Sequence, residues 1–127
     1  MQLTIEELKV IEKQKGATLW PFKQNGTVVN FQGNEWLVAT EGGIILENAS
    51  LKDINQSLKV LAREARLDFS LIGLWFEGDK VYIDIVNGYE DTAKAITEAL
   101  KNKQLAIYHN GTKETLYLKD IIKAVKG

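Results

Sequence analysis

One stretch of the chain leaves little freedom of folding: LIGLWFEGDKVYIDIV, Leu71 to Val86. Gly78-Asp79 is a two-residue hairpin turn between runs of β-branched and aromatic residues. Closing the turn there pairs Phe76 with Val81, Leu74 with Ile83 and Ile72 with Ile85 on one face. That face is wholly apolar and must lie under a helix. The other face pairs Glu77 with Lys80, Trp75 with Tyr82, Gly73 with Asp84 and Leu71 with Val86. Because side chains alternate with a period of two, a slip of one residue would exchange the faces. A hairpin with one wetted side should not carry Leu71, Trp75 and Val86 there, so the second face also needs a cover: a helix at residues 4–15, the strands before it, or a second copy of the chain.

Elements on either side supply what the hairpin lacks. Thr4-Ile-Glu-Glu7 is a capping box, opening a helix with Ile5, Leu8 and Ile11 inward and Gly16 as its stop. Ser50 with Asp53 opens a second helix, along which Leu51, Ile54, Leu58, Leu61 and Ala65 recur at spacings of three and four. A third begins near Asp91 with Ala93, Ile96 and Leu100 inward, and residues 119–127 make a weaker fourth. Turns at Asn25-Gly26, Gly33-Asn34 and Glu41-Gly42 make residues 18–47 a four-stranded meander. Its shared face would carry the rows Trp20-Phe31-Trp36 and Phe22-Val29-Val38-Ile45. A last hairpin turns near Asn110-Gly111, although a two-residue turn there sets Ile107 opposite Glu114. At 127 residues without a linker or repeat, residues 1–127 read as a single domain of α+β class. Its antiparallel sheet combines the N-terminal meander with two later hairpins, and three to four helices pack mainly on one face.

Chemistry is sparser. There is no cysteine, which removes disulfides, thiolate metal sites and cysteine nucleophiles. His109 is the only histidine and flanks a turn; with Glu114 near it, it is a base candidate, but an exposed turn residue is the ordinary reading. Gly42-Gly43 is followed by a strand, so no helix dipole stands behind it to hold phosphate. A formal charge of −1, with fourteen Lys but only Arg63 and Arg66, disfavours nucleic acid. The Lys-interleaved tyrosines Tyr82, Tyr108 and Tyr117 keep single-strand binding as an alternative. Four Asn-x-Ser/Thr triplets, at Asn25, Asn48, Asn55 and Asn110, are expected to be turn chemistry in a cytoplasmic protein, since no signal peptide or apolar span precedes them. The Lys- and Ile-rich composition suits an AT-rich bacterial or phage genome.

One constellation stands apart. Gly73 lacks a side chain beside Asp84, and Trp75, Tyr82 and Leu71 surround the pair; the ordinary reading is a half-solvated inward charge that keeps this face from aggregating, and the functional ones are a notch for a cation or small polar ligand or a surface for a partner. No catalytic set, metal site or cofactor motif accompanies it. The sequence therefore points to a non-catalytic protein-binding module such as a stoichiometric inhibitor, immunity or accessory protein. A homodimer is the other way to cover the face, and a small-ligand binder or minor enzyme using the Asp84 notch is the main alternative.

Overall fold

The computed structural model describes residues 1–40 and 42–121. Its elements run α1 (Ile5–Lys13), β1 (Gly16–Gln24), β2 (Thr27–Asn30), β3 (Trp36–Ala39), β4 (Ile44–Glu47), α2 (Leu51–Leu67), β5 (Leu71–Glu77), β6 (Lys80–Tyr89), α3 (Thr92–Lys101), β7 (Ala106–His109) and β8 (Thr115–Tyr117). The strand ladders are antiparallel, and the class is the α+β class expected. The chain divides into two compact units, Met1–Phe31 with Gly42–Val86, and Gln32–Glu41 with Asn87–Gly127.

In the first unit the strands lie in the order β2-β1-β5-β6, with β4 also paired to β6. The β5–β6 hairpin has the register read from the sequence at all seven pairs, from Leu71↔Val86 to Glu77↔Lys80. Gly78 turns it with φ +60, which a side chain would disfavour. Both helices of this unit pack on the face of Ile72, Leu74, Val81, Ile83 and Ile85, through Leu8 and Ile11 of α1 and Ile54, Leu58, Leu61 and Ala65 of α2. Each helix starts with the capping box anticipated, Thr4 with Glu7 and Ser50 with Asp53. Since α1 lies on this face, it is not the cover of the second one.

The meander does not form as expected. Its first turn holds, with Gln24↔Thr27 and Lys23↔Val28 around Asn25-Gly26, but the register shifts before Leu19↔Asn30. Pro21, which has no amide N–H for a ladder, sits within the shifted segment. Trp20 nevertheless keeps an edge contact with Phe31 at 5.7 Å. Beyond that the expectation fails. β3 pairs β7, with Trp36↔His109 and Leu37↔Tyr108, instead of turning back on β2. β4 pairs β6 through Ile44↔Ile83 and Leu46↔Val81, so Ile44 and Leu46 face the core and Ile45 is 60% exposed. An alternating strand matches any apolar partner equally well. Alternation therefore identified the strands but could not choose between neighbours.

In the second unit, Val38 of β3, Ala95 and Ala99 of α3, Ile107 of β7 and Leu118 form the core, with Trp36 packed on its edge. The inward face of α3 is Ala95 and Ala99 rather than Ala93 and Leu100; Leu100 is half exposed. The β7–β8 register sets Ile107 against Leu116, not Glu114, because the turn is longer than two residues. His109 N–H donates to Glu114 O at 2.8 Å, which encloses four residues. Residues 118–121 are helical, and the remainder of the fourth helix expected at 119–127 lies outside the described residues.

Candidate functional site

The second face of the β5–β6 hairpin owes its shape to three glycines. Gly16 of β1 pairs with Trp75, and the Trp75 ring lies so close that a Cβ on Gly16 would run into Cε3 and Cζ3. On the other side, a Cβ on Gly73 would come within 3.3 Å of the Trp75 Nε1 and 2.8 Å of Val86 Cγ2. The indole therefore lies flat along the sheet between two bare backbone positions. Continuing the β4–β6 register by one residue from Ile44↔Ile83 sets Gly43 opposite Asp84. There the Asp84 carboxylate leans over Gly43, in space that a Cβ would fill.

This arrangement brings together the residues singled out in the sequence. Leu71 and Val86 are buried at one end of the face. Trp75, Tyr82 and Asp84 are half-buried, and exposed Ile45 stands beside Tyr82. The space next to Gly73 is taken by Val86 and Trp75, so a flat platform rather than a recess adjoins Asp84. Gly16 and Gly43 were not singled out. Their only sequence signal is that each falls next to a large or charged residue once strand partners are known.

Burial pushes the Asp84 carboxyl above its usual range. Among the described residues no hydrogen bond or ion pair reaches its carboxylate. Lys80 is on the same face at the hairpin tip, between the cross-strand carboxylates of Glu77 and Glu47. With Asp84, the face thus carries three carboxylates against one ammonium.

His109 has a local role. Its Nδ1 accepts the Thr112 amide at 3.1 Å, and its ring stands edge-on to Trp36 at 4.9 Å. Asn110 ties the same turn to residues 33–35, its side chain donating to Gly33 O at 2.7 Å and its amide to Glu35 O at 2.8 Å. Among the described residues no group of three or more His, Asp or Glu side chains gathers closely enough to ligate a metal ion. No helix among them is long and apolar enough to cross a membrane.

Two further surface features were not anticipated. A cavity of about 620 Å³ is lined by Met1, Gln2 and the α2 residues Leu51, Lys52, Asn55, Gln56 and Lys59. At the end of α2 Leu67 is 74% exposed, and just past it Phe69 is 95% exposed with φ +55. Comparison with protein-family models, with curated proteins and with solved structures finds no match.

Proposed function

We propose that this chain is a non-catalytic, cytoplasmic protein-binding module, of the kind that acts as a stoichiometric inhibitor, immunity or accessory protein, and that its partner docks on the second face of the β5–β6 hairpin. The observation that carries the reading is Asp84: a half-buried carboxylate without a partner among the described residues. Holding it there costs folding free energy that a docking surface recovers when the partner arrives. Its surroundings suit docking, with the flat Trp75 indole, Tyr82 and exposed Ile45 offering apolar area next to the charge. The small-ligand alternative has less support, because Val86 and Trp75 take up the space beside Gly73. A two-fold dimer on this face is disfavoured, since it would bring two copies of a surface with three carboxylates and one ammonium together.

The test compares wild type with Ile45→Lys, both immobilised and exposed to an extract of the source cells, with retained proteins identified by mass spectrometry. Ile45 is already exposed, so lysine there leaves the core untouched. A partner held in stoichiometric amount by wild type and lost by the variant supports the reading. Nothing retained, or equal retention by both, refutes docking on this face.

A further inference from the structure

At about 100° per residue, the four cations of α2, Lys52, Lys59, Arg63 and Arg66, fall within an arc of roughly 60° beside its core-facing stripe. Its carboxylates, Asp53 and Glu64, lie on the opposite flank. Arg66 donates to Pro21 O of β1 at 3.4 Å, which turns the basic flank toward β1. Asn55, on the same flank, grips Leu3 through both ends of its amide: Oδ1 accepts the Leu3 N–H at 2.8 Å and Nδ2 donates to Leu3 O at 3.1 Å. Residues 1–2 are thereby set against the helix, and the cavity of about 620 Å³ lies between them and α2.

The lining of this cavity divides by chemistry. Met1 and Leu51 are half-buried and packed on the core, which gives an apolar floor. Lys52 and Lys59 are exposed, two helical turns or about 10.5 Å apart along the axis. Neither has an ion-pair partner among the described residues. Among the described residues no carboxylate lines the cavity; Gln2, Asn55 and Gln56 complete it without charge. Burial, and then Arg66, Lys23 and Lys59, lower the pKa of the Met1 amine, which marks a positive potential at that end.

We propose that this cavity binds a small amphiphilic anion, with a phosphate or carboxylate head group between Lys52 and Lys59 and an apolar body resting on Met1 and Leu51. Ammoniums are compact charges on flexible stems, so the two can converge on one head group from either side. Exposed lysines alone hold an anion weakly in water, and the apolar floor supplies the further attraction that favours an amphiphile over a bare ion. The volume falls in the range of small-molecule sites. No aromatic ring lines the cavity among the described residues, so nucleic-acid bases would find nothing there to stack on. Because α2 packs on the sheet face opposite Asp84 and Ile45, this site is separate from the docking face.

The experiment titrates ¹⁵N-labelled protein with octyl phosphate and with octanoate, each below its micelle concentration, and in parallel with inorganic phosphate, octanol and octyltrimethylammonium. Both anionic amphiphiles should bind with a Kd of roughly 0.1–1 mM and shift the amides of residues 1–3 and 51–59 together with the Asn55 side chain. Inorganic phosphate and octanol should each bind at least tenfold more weakly, and the cationic amphiphile should not bind. Lys52→Gln and Lys59→Gln should each weaken octyl phosphate at least threefold, and the double variant at least tenfold. Their thermal midpoints should stay at the wild-type value, since both side chains are exposed. Lys101→Gln, in the second unit, should bind as wild type does. Equal binding of anionic and cationic amphiphiles, shifts located elsewhere, or unweakened binding by the double variant would each overturn the proposal. So would phosphatidylglycerol vesicles or a single-stranded oligonucleotide binding through Lys52 and Lys59 while octyl phosphate does not, which would assign the basic flank to a membrane surface or to nucleic acid. Ile45→Lys should bind octyl phosphate unchanged, so failure of the docking face and failure of this cavity are read separately.

Discussion

Glu7 makes the sharpest quantitative test of how the first unit is held together. It closes the capping box of α1, its Oε1 accepting the Thr4 amide at 2.9 Å, and the same oxygen meets Lys23 Nζ at 2.9 Å. Oε2 accepts the Val28 amide at 3.1 Å. Lys23 and Val28 face each other in the β1–β2 hairpin, whose Gln24–Thr27 pair closes the turn. Val28 belongs to the edge strand, so one carboxylate ties the helix start to both strands and covers an edge N–H that would otherwise be open to pairing. Burial alone would raise the Glu7 pKa, but the Thr4 and Val28 amides and the Lys23 ammonium outweigh it and lower it from 4.5 to about 2. That fall corresponds to about 3.4 kcal/mol at 1.36 kcal/mol per pH unit. The carboxylate is 16% exposed and Lys23 22%, so screening of the ion pair reduces the expected contribution to about 2–3 kcal/mol. Glu7→Gln keeps the size but aims an NH2 group at one of the three donors. It should lower stability by that amount at about pH 7, or the thermal midpoint by roughly 8–12 °C. The folded pKa is depressed, so the contribution is complete above 4.5 and is lost as pH falls through about 2. Urea titrations of both proteins from neutral pH down to about pH 2 should therefore show the difference shrinking toward zero. A difference under about 0.5 kcal/mol at neutral pH, or one independent of pH, would refute the assignment.

Other substitutions test other parts of the structure. Phe69→Gly should stabilise the chain by about 1 kcal/mol in chemical denaturation, since Phe69 holds a left-handed backbone just past the α2 cap while its ring is in water; a loss of stability would mean the ring is engaged in solution. Asp84→Asn should raise the thermal midpoint by roughly 2–4 °C at neutral pH, because a carboxyl raised by burial contributes fully below 3.8 and less as pH rises through its folded value; the gain should vanish in acid, and a lower midpoint at neutral pH would refute the desolvation account. Gly16→Ala should cost about 1–3 kcal/mol by displacing the Trp75 ring, detectable as a lower denaturation midpoint together with a shifted indole resonance; a neutral result would mean that the indole does not lie on Gly16. His109→Ala should cost about 1 kcal/mol, leaving the Thr112 amide without its acceptor and Trp36 without its edge contact; an unchanged midpoint would show that the imidazole adds nothing to the backbone bonds and Asn110 contacts that hold the turn.

What the sequence disclosed follows the range of the interactions concerned. Both capping boxes involve residues three apart, and the hairpin of residues 71–86 closes over two, so their partners are adjacent in the sequence. The strand of residues 36–39 is equally plain as a strand, but its partner lies some seventy residues on, and nothing local distinguishes β7 from β2 as a neighbour. The agreement of the supposed meander rows had a simple cause. Short alternating strands joined by two-residue turns align apolar with apolar whether or not they pair. β3 instead joins the other unit, where Asn110 binds residues 33–35 through both its side chain and its backbone. For α3 the expected stripe of Ala93, Ile96 and Leu100 was out of phase: Ile96 does pack on the core, but its inward neighbours are Ala95 and Ala99. Ala95 and Ala99 face inward because small side chains let the helix approach β3 and β7 closely, while Leu100 remains half exposed.

The site was legible to the same extent as its hairpin. Gly73, Trp75, Tyr82 and Asp84 meet because one turn fixes their register, and that turn could be read directly. Gly16 and Gly43 come from strands whose places depended on pairing across the first unit, and they alter the meaning of the site. With Gly73 alone, the glycine reads as a hole for a ligand beside Asp84. With all three, the glycines are the floor on which an indole and a carboxylate lie flat. A hole selects a ligand by enclosing it, whereas a flat aromatic surface beside a partly dehydrated charge selects by stacking and charge, the terms that favour a protein side chain. Under the docking proposal the same geometry accounts for Asp84: apolar residues would cover β6 at less cost, and the carboxylate's partial dehydration is offset when a partner binds.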